Sequence, residues 1–373
     1  MIVVSDDQPD QVLRALEHEG PVAVVSAARP VPLSTRPPPA GTWLVAFTSG
    51  STTRPRAVCR TRQSWLASVA PLAELTGTTS TSRVLVPGPL ASTLFLHAAW
   101  HARQVGAEPL LARLDTTEAW DVAHLVPHQL DRLLDETRDL SGRTVVVAGA
   151  ALPETTARRA LSRALSVLAY YGASELSFVA IGTAPGPMRT FPGVAVQERA
   201  GVLWVRSPYT SLGYLPTGSE LPPEPGLPPE PDLPPEPLLC DPDGWCTVGD
   251  RGSVLPDGTV AVHGRGIAAV QTGGATVPVA DVEAVLRVAP GVDEVVVGGV
   301  RHAALGQVVG AVVQGSGVSV RALRAFAADR LAPEARPRRW RVVASLPRTP
   351  AGKVNRVATL RLLDQVDPRT LDR

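Results

Sequence analysis

The sequence predicts an α/β protein. A large N-terminal domain of mixed, mostly parallel sheets with flanking helices carries a β-rich subdomain, and a small C-terminal α+β domain follows. Three observations predict this. Apolar runs alternate with helical periodicity from residue 11 to 170, as crossover-connected parallel strands require. From Gly201 short strands and turns take over, and from Gly266 helices and strands mix again. A chain of 373 residues accommodates two domains at roughly 100–200 residues each. The expected division is 1–265 and 266–373, at Gly264-Arg265-Gly266.

In order, the spacing predicts an amphipathic helix over 11–19 and a strand over 22–25. A Pro-rich connection, 30–39, leads to a strand over 43–47, and Ala57-Val58 resumes a strand. A helix over 63–75 places Trp65, Val69 and Leu72 on one side. Next come a strand over 84–86, a helix over 94–105, a β-type run over 110–112 and a helix over 128–134. Thr144 to Val147 is β-branched and almost continuously apolar, which predicts a strand covered on both faces. A helix over 154–165 and a strand over 166–170 complete the alternation. Strands are expected at 202–205 and in a hairpin over 252–262 turned by Asp257-Gly258. Between these, a Leu-Pro-Pro-Glu-Pro-x hexapeptide occurs three times over 221–238; it reads as an expanded surface loop or as a polyproline II ligand. The C-terminal part predicts helices over 279–288 and 318–331, with strands over 294–297 and 308–313.

Composition narrows the partners. Hydrophobic residues at 44% and charged residues at 19% fit a soluble globular protein. Basic and acidic residues, 36 and 35, nearly cancel, so the charge balance points to neither nucleic acid nor an anionic membrane. No apolar run approaches the roughly 20 residues that span a bilayer. Met1 to Asp7 lacks the basic start of a signal peptide. Cys59, Cys240 and Cys246 make no disulfide framework and no C-x-x-C occurs, so a reducing cytoplasm is the expected setting.

Four stretches carry chemistry. After the strand ending at Phe47 come Thr48, Ser49, Gly50, Ser51, Thr52 and Thr53, then Arg54-Pro55-Arg56. Small hydroxylated residues around a Gly let backbone N–H and O–H groups converge on phosphate oxygens, and Arg supplies charge. It is not a Walker loop, and alone it fits a polar turn between strands equally well. The second stretch is Tyr170-Tyr171-Gly172-Ala173-Ser174-Glu175. A carboxylate beyond a strand's carboxyl end can hold Mg²⁺ against a nucleotide phosphate; alternatively Ser174 and Glu175 begin a capped helix. The third is Val248-Gly249-Asp250, with Arg265 fifteen residues on. The two oxygens of Asp250 suit vicinal ribose hydroxyls, against a plain turn Asp and a surface Arg. The fourth, Thr349-Pro350-Ala351-Gly352-Lys353-Val354-Asn355-Arg356, puts a Lys on a Gly-flanked loop in a chain that otherwise uses Arg almost throughout.

Together, in this order, the motifs resemble the AMP-forming adenylating superfamily of acyl-CoA synthetases, adenylation domains and luciferases. The likeness runs from about Phe47 to Arg356. It is nearest to compact o-succinylbenzoate–CoA ligase-type members, in which much of the first subdomain is missing. Ala148-Gly149-Ala150-Ala151-Leu152 looks like the family's adenine-side loop, and Leu212-Gly213-Tyr214 its Gly-Tyr step. Thr272-Gly273-Gly274 looks like the stretch after the hinge.

The resemblance implies activation of a carboxylic acid by ATP, with pyrophosphate release, then transfer of the acyl group to CoA after rotation of a mobile small domain. It implies Lys353 and Glu175 as catalytic, Glu175 holding Mg²⁺. Thr48, Ser49, Gly50, Ser51, Thr52, Arg56, Gly149, Ala150, Tyr171, Gly172, Ser174, Asp250 and Arg265 would bind ATP or AMP. Gly88, Ala91, Ser92 and Ser177 would line the acyl pocket, and Gly273 and Gly274 would meet CoA. The chain departs from the pattern at Thr53, Arg56 and Ile267, where the family usually has Gly, Lys and Asp, and at Gly88–Ser92, where a His-containing segment is usual. Two alternatives remain open: a carrier protein or an amine as acyl acceptor, and a non-catalytic adenylate-binding scaffold. The acid and the oligomeric state are not specified by the sequence. His97/His101 and His124/His128 have i,i+4 spacing, for which helix-face packing or exposure is expected rather than a metal site.

Overall fold

The computed structural model describes residues 1–28, 37–47, 56–215, 238–265, 269–272, 275–302, 306–350 and 352–364. The elements begin with β1 (Ile2–Ser5), α1 (Pro9–Ala15), β2 (Val22–Val25), β3 (Leu44–Phe47), β4 (Ala57–Arg60) and α2 (Arg62–Thr76). There follow β5 (Arg83–Leu85), α3 (Thr93–Val105), β6 (Glu108–Leu110), β7 (Val122–Leu125), α4 (Pro127–Asp135), β8 (Thr144–Val147) and α5 (Glu154–Ser162). The hairpin β9 (Ser166–Ala173) and β10 (Ser177–Thr183) is succeeded by β11 (Arg189–Thr190), β12 (Ala195–Arg199), β13 (Val202–Arg206) and β14 (Gly213–Leu215). Then come β15 (Leu239–Cys240), β16 (Cys246–Thr247), β17 (Asp250–Val254), β18 (Val260–Arg265), β19 (Ala269–Thr272) and β20 (Ala275–Pro278). The last elements are α6 (Val279–Arg287), β21 (Glu294–His302), β22 (Gly306–Gln314), α7 (Val320–Arg330), β23 (Arg339–Val343) and α8 (Arg356–Asp364).

These strands form four sheets. The first, in order β1-β2-β3-β4-β14, is parallel through β3 and antiparallel beyond it. The second, β11-β10-β9-β8-β7-β5-β6, is parallel from β6 to β9. Helices α3, α4 and α5 make its crossovers, as the alternating pattern requires. One large core fills the space between these two sheets, where Trp43, Trp65 and Trp100 meet with ring centroids 5.4–5.6 Å apart. The outer face of the second sheet is closed by Leu130, Leu133 and Leu134 of α4 and Ala160 of α5, so Val145 and Val147 are covered too. The third sheet, β15-β16-β13-β17-β18 with β12, is antiparallel, and the fourth joins β19–β23 with α6, α7 and α8.

Local chemistry explains most boundaries. Thr61 caps α2 by accepting from the Ser64 amide, and Gly77 at φ +68° ends that helix in the left-handed conformation. α5 stops at Ser162, before the predicted 165, because Ala164 already has φ +53°. α1 likewise ends at Ala15 rather than 19, since Glu17 and His18 turn back to bond the carbonyls of Arg14 and Ala15. One expectation is corrected outright. Cys240 and Cys246 face each other across β15 and β16 and are disulfide-bonded, while Cys59 is a free, buried thiol. Among the described residues no helix is long and apolar enough to cross a membrane.

Candidate functional site

The site is built at the carboxyl ends of β8 and β9, where sheets of this kind collect ligands. β9 runs on past the predicted Tyr170 to Ala173, and a three-residue turn leads straight into β10. Glu175 therefore sits in a hairpin turn, and the alternative of a capped helix at Ser174 is ruled out. The turn is tight: a Cβ on Gly172 would lie 2.0 Å from the Ser177 carbonyl oxygen, so only Gly allows this crossing.

Glu175 is 3% exposed. Its Oε1 accepts from the Tyr214 hydroxyl at 2.8 Å, and Tyr214 also receives Nη1 of Arg56 at 3.4 Å, with the guanidinium 5.2 Å above its ring. The other oxygen, Oε2, is buried and has no hydrogen-bond partner among the described residues. Beneath the turn Arg60, 1% exposed, donates to the Ser174 carbonyl at 2.5 Å and to the Tyr209 carbonyl. Burial pulls its pKa down to about 10, and the nearby charge of Glu175 opposes that shift. The Thr93 hydroxyl lies 2.8 Å from that of Ser174, tying the start of α3, just after Ala91 and Ser92, to the same turn. Ser177 follows it at φ +59°. Gly88 lies under Phe95, whose ring stands 2.1 Å from where a Cβ would be.

Four residues before Glu175, the Tyr171 hydroxyl donates to Oδ2 of Asp250 at 2.8 Å. Asp250 opens β17 rather than a turn, is 6% exposed, and has Arg265 as its partner residue on β18. On the neighbouring strand, Gly149 follows β8 at φ +90°; a Cβ there would be 3.0 Å from Cε of Lys353. Lys353, the one lysine in the chain, rides on a loop closed by Thr349 N–H to the Lys353 carbonyl, 2.7 Å, and Gly352 N–H to the Thr349 carbonyl, 2.8 Å. Arg348 braces the loop by donating to the Gly352 carbonyl and pairing with Glu294 at 2.6 Å.

The structure thus gathers Tyr171, Gly172, Ser174, Glu175, Ser177, Ser92, Asp250, Gly149 and Lys353 around the carboxyl ends of two adjacent strands. Thr48, Ser49, Gly50, Ser51, Thr52, Ile267, Gly273 and Gly274 lie outside the described residues. The strands that bracket them are described: Phe47 pairs with Ala57, and Thr272 with Ala275. Sequence reasoning overlooked Arg60. Its signal was a charge inside the strand Ala57–Arg60, whose four residues are all buried. His97 and His101 pack in the core on α3, as expected of a helix face, and His124 is buried in β7. Among the described residues no group of three or more His, Cys, Asp or Glu is arranged to hold a metal.

Residues 1–215 match the AMP-binding enzyme model, and residues 281–353 match the AMP-binding enzyme C-terminal domain. An uncharacterized acyl–CoA ligase of Bacillus subtilis, YhfT, is 28% identical over 92% of this chain and 73% of its own length. The 2-succinylbenzoate–CoA ligase of Geobacillus kaustophilus is 27% identical over 87% and 70%. Among solved structures, ATP-bound MatB from Rhodopseudomonas palustris shares the fold, with a TM-score of 0.70 at 24% identity, over 87% of this chain and 68% of that one. The amide bond synthetase McbA from Marinactinospora thermotolerans superposes with a TM-score of 0.70 at 26% identity, over 96% and 79%.

Proposed function

The chain belongs to the AMP-binding enzyme family, and from that premise we propose that it activates a carboxylic acid as its acyl-adenylate and passes the acyl group to CoA. The observation that carries this reading is the convergence of Lys353, Glu175 and the Tyr171–Asp250 pair at the ends of β8 and β9. In the first half-reaction a carboxylate oxygen of the acid attacks the α-phosphorus of ATP. The bond to the bridging oxygen breaks, and pyrophosphate leaves with the electron pair. In the second, CoA thiolate, its proton lost to solvent, attacks the acyl carbon, and the bond to AMP breaks.

Such chemistry depends on positioning and charge neutralisation. Lys353 is assigned the charge that develops between the carboxylate and the α-phosphate. Tyr171 is assigned to adenine, Asp250 and Arg265 to ribose, and residues 48–52 with Arg56 to the outer phosphates. Gly149, Ala150, Gly172 and Ser174 complete the nucleotide wall. Gly88, Ala91, Ser92 and Ser177 face the acyl group, and Gly273 and Gly274 are assigned to CoA. Glu175 fits Mg²⁺: its unpartnered, buried Oε2 is a hard anionic oxygen of the kind that cation takes. The ion, when bound, supplies neutralisation of phosphate charge. The division at 265/266 and a cytoplasmic location belong to the same reading.

The test is ATP- and acid-dependent pyrophosphate release across a panel of carboxylic acids. Lys353→Ala should lower it by about 10²–10³-fold, the usual loss for one charge-stabilising contact. No release with any acid overturns the reading. A carrier-protein acceptor is the second reading, favoured by 38% identity over 117 residues to the fatty acid–[acyl-carrier-protein] ligase ScoC of Streptomyces coeruleorubidus. Offering CoA, a phosphopantetheinyl carrier and an amine to the preformed adenylate distinguishes the acceptors.

A further inference from the structure

The Lys353 loop meets the large domain through a small set of contacts that none of the assigned roles uses. Gly352, at φ +78°, presses its backbone onto the imidazole of His128: a Cβ there would stand 2.2 Å from Cε1 and 3.0 Å from Nδ1. Val126 flanks the same spot, 2.8 Å from that Cβ position, and its other methyl lies 3.3 Å from the Cβ position of Gly149. Two glycines from two distant parts of the chain therefore close on one valine and one ring. His128 is the second residue of α4, whose start is fixed by Gln129, which accepts from the Val126 amide at 3.1 Å and donates to the Pro87 carbonyl at 3.0 Å. Nδ1 of His128 is buried without a hydrogen-bond partner among the described residues, and the contact is made at the Cε1–Nδ1 edge of the ring. The ring is neutral at pH 7, its pKa pushed down to about 4 by burial first and then by Arg348 and Arg132. A neutral ring accepts the cationic Arg348 and Arg132 near it; a positively charged side chain there would repel them.

We propose that His128, backed by Val126, is the seat on which the Gly352–Lys353 loop docks for the adenylation step. The inference rests on the AMP-forming reading above. In it His128 is a positioning residue: it fixes where the Lys353 ammonium stands while the acid attacks, and it leaves the second half-reaction alone. A displacement of about 1 Å in such a group is enough to lower a rate by about 10²-fold.

The experiment compares His128→Ala, His128→Lys, His128→Phe and Gly352→Ala with the wild-type chain in two assays. The first is pyrophosphate release, with kcat and KM for ATP and acid measured separately. The expected result is a kcat lowered about 10- to 100-fold in the Ala and Lys variants, KM nearly unchanged, and transfer from supplied acyl-adenylate to CoA unaffected. His128→Phe, which keeps a flat neutral ring, should recover most of the loss. The second assay needs no activity. Because Lys353 is the only lysine, a lysine-specific protease cuts the chain at one place, and the docked loop should shield it. Cleavage after Lys353 should be several-fold faster in His128→Ala and Gly352→Ala than in the wild type or His128→Phe. Equal cleavage rates overturn the seat. So does a loss spread over both half-reactions, or a Phe variant no better than Ala. A wild-type chain that releases no pyrophosphate but shows the cleavage pattern keeps the docking contact and overturns the adenylation reading instead.

Discussion

Lowering the pH from 7 to 5 should destabilise the fold through histidines held neutral in its core. His97, His101 and His124 are 5%, 1% and 2% exposed, and His97 stacks on His101 at 6.0 Å. Burial comes first in depressing each of them: His101 falls to about 4, His124 to about 3, and His97 well below its usual value. In the unfolded chain each titrates near 6.5. Between pH 7 and 5 the unfolded state gains a proton per histidine that the folded state refuses, so unfolding is favoured as pH falls. The stability is fully present above about pH 6.5 and, for His101, is lost progressively until the folded pKa near 4 is reached. Integrating from 7 to 5 gives about 2 kcal/mol for each histidine. Urea unfolding followed by tryptophan fluorescence at the two pH values measures the difference. In His101→Leu the gap between pH 7 and pH 5 should shrink by about 2 kcal/mol. An unchanged gap in that variant, or equal wild-type stability at both pH values, would refute the reasoning.

The site yields further expectations. Glu175→Gln keeps the hydrogen bond from Tyr214 but loses the charge; pyrophosphate release should fall about 10²–10³-fold and need more Mg²⁺ for half-maximal rate, as a magnesium titration would show. Arg60→Met leaves the Ser174 and Tyr209 carbonyls unpaired and Glu175 without its buried counter-charge. It should lower stability by about 3 kcal/mol, read from denaturant melts. Tyr171→Phe removes the 2.8 Å bond to Asp250; stability should drop by about 1 kcal/mol and KM for ATP should rise, measurable in the same release assay.

Much of the architecture could be read from residue patterns because the relevant physics is local. Thr144–Val147 is apolar at nearly every position, and it lies between two cores. Asp257-Gly258 turns β17 into β18 as its composition demands, with Gly258 at φ +81°. Asp250 and Glu175 stand out as candidates in the sequence because each comes shortly after a Gly at the end of a recognisable run. What stayed hidden depends on long-range register. Cys240 and Cys246 are six positions apart, and only the pairing of β15 with β16 brings them together. Arg60 carries a charge that would ordinarily argue for exposure. Its partners, Ser174 and Tyr209, are 114 and 149 positions away. His128 gave no cue beyond spacing, since the loop that covers it arrives from the far end of the chain.

The loop bearing Lys353 is held from both sides by arginines whose ion pairs lie within the small domain. Arg348 grips Glu294 at the start of β21, and Arg356 grips Glu283 of α6 at 2.6 Å while also bonding the Val297 carbonyl. The ammonium is thereby indexed to that domain's frame, like a tooth cut into a gear, and its aim survives wherever the gear is turned. Exchanging the whole small domain between homologous chains should carry the lysine's reach along intact, whereas grafting the loop by itself would leave both clasps behind.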